Sequence, residues 1–271
     1  MLEAEDRQRQ VLLDMKSVVE SLQLPILIVG AGARILVFDN RYNIEGRKTT
    51  DIDFAVQVDN WSDFQSLRAA MTQVGNPCFK LTNLQHRFIH ILTGIEVDIV
   101  PFGLIGEPNQ EIQWSDGNQM SVLGFNEAFS TAESQLIEEI EFKVVSLPAL
   151  IVLKLIAWSD RKARKDLEDI YFILKNYSDD DRVFTELIDE LSQGLVEYGE
   201  AATFLLGCDI KNNFTQVTIN QLVKIILQIL KKRDTLFPQL IPHAFEQDKW
   251  DIKFDRIVGR FEALKRGIEE Y

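Results

Sequence analysis

The sequence predicts an α+β protein: a mixed sheet with flanking helices, followed by a helical C-terminal domain. Three observations predict it. Short apolar runs alternate with amphipathic stretches up to about residue 146, helical periodicity alone fills the remainder, and "VVSLP" marks the change. With 271 residues, 46% of them hydrophobic and 10% aromatic, the chain is long enough to build two cores. The expected domains are 1–146 and 147–271.

Residues 7–23 place Val11, Leu12, Met15, Val18, Val19 and Leu22 at helical spacing and predict an amphipathic helix. "PILIVG" reads as a short buried strand ending at Gly30, and "GAGARILVF" as a turn into a helix. A polar loop, "NRYNIEGRKTT", leads to "DIDFAVQV", where Phe54, Val56 and Val58 alternate as in a strand. "WSDFQSLRAAMTQVG" is a helix with Ser62 or Asp63 near its start. "RFIHIL" and "IEVDIVPF", separated by Thr93 and Gly94, predict a hairpin. Residues 102–140 carry no decisive pattern. Helical periodicity then runs through 148–177, 182–206, 215–232 and 250–268.

The formal charge is −13, which argues against a nucleic-acid-coating protein but permits a local basic patch. One such patch runs from Lys154 to Lys165: Lys154, Arg161, Lys162, Arg164 and Lys165 against Asp160. It reads equally as a solvated helix face, with Lys165 and Asp169 paired four residues apart, or as a phosphate-binding wall. Cys78 and Cys208 form no metal-type pair and read as reduced thiols. His86 and His90 share a strand face without a third ligand, which favours packing or surface roles. The charged start "MLEAEDRQRQ" is unlike a signal peptide, and no apolar run approaches the ~20 residues of a membrane span. The expected location is cytoplasmic, with no membrane partner.

The chemistry concentrates in the acids. Asp51 and Asp53 are two apart on a strand, so both point to one face and repel each other. If the strand ending at Gly30 lies beside them, the turn Gly30–Gly32 meets the acids at one end of the sheet. Asp98 joins from a third strand, between the core residues Val97 and Ile99, with Glu96 on its face. Three carboxylates beside a glycine turn form a hard, oxygen-rich site suited to magnesium, and phosphate oxygens would complete the coordination. The unobstructed backbone at Gly30, Ala31 and Gly32 admits a triphosphate. A dinucleotide-binding turn is excluded, because Ile35 stands where the third glycine of G-x-G-x-x-G belongs.

"VGAGARILVF", Arg47, "TTDIDFAV", "VDIVPFG", "LPALIVLKLIAWSDRKARKDLEDI" and "FLLGCDI", in this order over roughly residues 28–210, resemble the AbiEii/AbiGii-type nucleotidyltransferases. These belong to the polymerase-β-like superfamily and include toxins of abortive-infection systems. The resemblance implies a nucleotidyltransferase-like mixed sheet and a helical domain that closes the nucleotide cleft. It implies Asp51 and Asp53 as ligands of Mg2+ (or Mn2+), and Asp98 as a third carboxylate that ligates the metal and helps activate the acceptor. Gly30, Ala31 and Gly32 would hold the triphosphate, with Thr50 and Arg47 beside it. Lys154 matches a phosphate-contacting helical lysine, Asp166 and Asp169 match a later acidic motif, and Arg161 and Lys165 extend the phosphate-binding side.

The implied reaction moves a nucleoside monophosphate from a nucleoside triphosphate to an acceptor hydroxyl, RNA or tRNA among the acceptors, in a toxin–antitoxin setting with an antitoxin protein as partner. Many relatives have Gly-Gly or Gly-Ser where this chain has Gly30-Ala31. That difference keeps open a nucleotide-binding interaction module without catalysis. A small-molecule, antibiotic-modifying nucleotidyltransferase is the third class.

Overall fold

A computed structural model describes residues 4–44, 46, 51–241 and 247–270. The chain divides into two compact units, Met1–Leu150 and Ile151–Tyr271.

The first unit is built on a mixed sheet. Its strands are β1 (Ile26–Val29), β2 (Asp51–Gln57), β3 (Phe79–Leu81), β4 (Arg87–His90) and β5 (Glu96–Phe102). After the small separate hairpin of β6 (Glu111–Gln113) and β7 (Gln119–Ser121), β8 (Glu133–Ile137) and β9 (Ile140–Val144) complete it. The seven strands lie in the order β3-β4-β5-β2-β1-β9-β8. β1 runs antiparallel to β2, β2 parallel to β5, and β1 parallel to β9. The stretch 102–140, which has no decisive sequence pattern, holds short elements: the β6–β7 hairpin, a helix Phe125–Ser130 and the edge strand β8.

All four residues of β1 are buried, which suits a central strand read as a continuous apolar run. In β2, Ile52, Phe54 and Val56 are buried on one face, and the acids occupy the other. The helix expected in "WSDFQSLRAAMTQVG" runs Trp61–Thr72 and is capped by Asn60, just before the expected Ser62 or Asp63; the Asn60 side chain accepts from the Asp63 amide. His90 is fully buried: its Nε2 bonds Asp14 and its Nδ1 bonds Thr93, both at 2.8 Å. It ties the first helix, Ala4–Ser21, to the turn after β4.

The second unit is helical. Its longest helix, Gln247–Glu270, packs on Tyr198–Asn213, and glycine governs the contact. A Cβ on Gly267 would stand 2.1 Å from the Phe204 carbonyl oxygen, so the two backbones touch where only glycine fits. Cys208 is buried on this face, and desolvation pushes its thiol up to about 12. The periodic stretch 148–177 is two helices, Leu147–Arg161 and Arg164–Asn176, because Lys162 takes a left-handed conformation at φ 51°. No described helix is long and apolar enough to cross a membrane.

Candidate active site

The registers of three strands assemble the acids. Val29 pairs with Asp53 across β1 and β2, which sets Gly30 at the carboxylate end of the sheet. Asp51 lies opposite Glu96 and Asp53 opposite Asp98 in the parallel β2–β5 pair, so all four side chains leave one face. One carboxylate oxygen from each of Asp51, Asp53 and Asp98 lies within 4.8 Å of the others. Opposite ligands of a magnesium ion stand about 4.2 Å apart, twice a bond of about 2.1 Å, so small side-chain rotations close the cluster around such an ion. The donors are all hard oxygens and half-buried, which fits magnesium or manganese.

Gly30 explains the shape of the turn. Its φ is 68°, and a Cβ there would fall 1.9 Å from Asp53 Oδ2. The residue is glycine because a site carboxylate fills the space a side chain would take. The Ala31 amide points at the same Asp53 oxygen, at 3.4 Å. Gly32 faces open space. The helix entered here, Gly30–Arg34, passes into a π-helical turn, Ile35–Asp39, where the buried Arg34 and Asp39 pair at 3.1 Å.

Asp98 has a partner that the sequence reading did not single out. Arg87 on β4 sits opposite it and grips both carboxylate oxygens, Nε to Oδ1 and Nη2 to Oδ2, each at 2.7 Å. Its Nη1 reaches Glu96 at 2.8 Å. The expected two-residue turn at Thr93 and Gly94 would set Ile89 across from Asp98; β4 instead ends at His90 and β5 begins at Glu96, and this longer connection shifts the register so that Arg87 faces Asp98.

In the helical unit, the basic segment and the acidic motif meet. Lys154 Nζ bonds Asp169 at 2.7 Å and lies 3.7 Å from Asp166, while Arg161 grips both oxygens of Asp166 at 2.7 and 2.6 Å. Asp166 is fully buried and Asp169 nearly so. The expected pairing of Lys165 with Asp169 is thus corrected: the break at Lys162 folds the second helix back, and Asp169 meets Lys154, while Arg161, Lys162 and Arg164 lie exposed as a solvated face would. Lys165 stays exposed. Removing one member of such a buried network strands the charge of the others. Asp166→Ala is expected to lower stability by about 3 kcal/mol, measured by urea unfolding.

Residues 37–265 match the family described as "Nucleotidyl transferase AbiEii toxin, Type IV TA system". The chain belongs to the AbiEii nucleotidyltransferase family. No curated protein matches it. Among solved structures it is similar to an antigenic nucleotidyltransferase-like protein from Paracoccidioides brasiliensis, at 16% identity and TM-score 0.42, over 71% of this chain and 90% of that one. It is also similar to JHP933 from Helicobacter pylori, at 15% identity and TM-score 0.37, over 100% and 95%. A third is the antibiotic-resistance factor ANT(2'')-Ia, at 16% identity and TM-score 0.37, over 70% and 96%.

Of the residues expected to serve this AbiEii-family enzyme, Asp51, Asp53, Asp98 and the turn Gly30–Gly32 come together in the first unit. Lys154, Arg161, Asp166 and Asp169 form one network in the second. Arg47 and Thr50 lie outside the described residues.

Proposed function

We propose that this nucleotidyltransferase is metal-dependent and transfers a nucleoside monophosphate to an RNA hydroxyl, tRNA being the acceptor the family suggests, as the toxin of a toxin–antitoxin pair. The observation that carries the metal dependence is the cluster of Asp51, Asp53 and Asp98 beside Gly30. Asp51, Asp53 and Asp98 would hold a divalent ion, which would supply charge neutralisation at the triphosphate and a lowered pKa of the attacking hydroxyl. The acceptor oxygen attacks the α-phosphorus, the bond to the β-phosphate bridging oxygen breaks, pyrophosphate leaves, and the hydroxyl proton passes to solvent or a carboxylate.

Asp51 and Asp53 are rigid ligands, because β2 is paired on both sides. Asp98 is the third. Gly30, Ala31 and Gly32 admit the triphosphate, the family resemblance adds Arg47 and Thr50 as nucleotide-binding residues, and Lys165 is one of several exposed cations on the helical unit. Lys154 and Arg161, with Asp166 and Asp169, hold that basic face in shape.

The test incubates the protein with Mg2+, each α-labelled nucleoside triphosphate and total cellular RNA. Label on RNA identifies nucleotide and acceptor. Pyrophosphate release that appears only on addition of a small-molecule cell extract, without labelled RNA, moves the acceptor to a small molecule. Absence of both favours a second reading, a nucleotide-binding module without catalysis, which Ala31 motivates by carrying no hydroxyl for phosphate.

A further inference from the structure

Arg87 brings one positive charge to a sheet face that carries Asp51, Asp53, Glu96 and Asp98. All three of its guanidinium nitrogens are used, two on Asp98 and one on Glu96. The fork occupies both oxygens of Asp98, one of which is also offered to the metal cluster. A divalent ion and Arg87 therefore draw on the same carboxylate. An arginine guanidinium keeps its charge at any working pH, so Arg87 yields to an ion only by moving.

We infer that Arg87 is a built-in counter-cation of the carboxylate cluster: it holds Asp98 in the ion-free protein, weakens ion binding through its charge, and loosens from Asp98 when the ion loads. This rests on the reading that the cluster binds a divalent ion. The consequence is a site that keeps its shape without metal and gives up affinity for that. Arg87 is thus a positioning residue.

Mn2+ affinity, read from the free-ion signal in electron paramagnetic resonance, tests the charge effect on the full chain. Arg87→Gln is expected to bind Mn2+ on the order of tenfold more tightly than wild type, and Arg87→Lys to stay within about threefold of it. Unchanged or weaker binding by Arg87→Gln, with wild type binding measurably, overturns the inference and leaves the metal reading standing. So does an Arg87→Lys variant that behaves like Arg87→Gln. Failure of wild type and both variants to bind Mn2+ overturns the metal reading, and the inference with it. Hydrogen exchange at the Arg87 Nε–H of the wild-type protein, followed by NMR, tests the movement without any substitution. It is expected to accelerate on saturation with Mg2+; an exchange rate that stays fixed while Mg2+ binds overturns the inference.

Discussion

Asp51→Asn combined with Asp53→Asn is expected to abolish nucleotidyl transfer, with a fall of at least about 10³-fold. Asparagine keeps the shape of each side chain but removes the charge that holds an ion. The fold should survive, since the two acids repel each other across one face of β2 while Ile52, Phe54 and Val56 supply the core contacts. Without added metal the double variant is therefore expected to melt within a few degrees of the wild-type temperature, the relief of repulsion offsetting weaker contacts to the Ala31 amide and to Arg87. With Mn2+ the wild type should gain stability and the variant should not, by the mass action of a ligand that binds only the folded site. Label transfer from an α-labelled nucleotide and thermal melts with and without Mn2+ check both halves. A variant with wild-type transfer would remove these two residues from the chemistry.

Gly30→Ala is the second large effect, expected to cut transfer by about 10²-fold or more. Two penalties act together. An alanine at φ 68° pays about 1–2 kcal/mol for the left-handed conformation. Its Cβ, at 1.9 Å from Asp53 Oδ2, also forces the carboxylate out of the cluster. Gly32→Ala is the control, because nothing lies within 4 Å of a Cβ there. A large loss in Gly30→Ala with little change in Gly32→Ala ties the turn to Asp53. Equal losses would show that the backbone of the turn, and not the carboxylate, is what the substitution damages.

The first of these residues were legible because their signals are local. Two acids spaced by one residue on an alternating strand, and a glycine pair after an apolar run, can be read within ten positions. The purpose of Gly30 was less legible: the expectation was room for phosphate, and the structure shows room for Asp53. Arg87 depends on hairpin register, where a shift of one residue moves a side chain to the other face. Lys154 and Asp169 are fifteen residues apart and meet only because the chain turns at Lys162, a non-glycine residue in a conformation its side chain does not favour. Residues 102–140 form elements of three to six residues, too short to show a period.

The placement of β1 has a consequence for how the protein is made. β2, β4 and β5 are complete once residue 102 has been synthesised, yet β1 keeps one bare edge until β9, at residues 140–144, arrives to pair with it in parallel. A nascent chain of intermediate length therefore exposes the Ile26–Val29 strand as an open template for other chains. Fragments that end between β5 and β9 should aggregate during translation, and fragments that extend past Val144 should not.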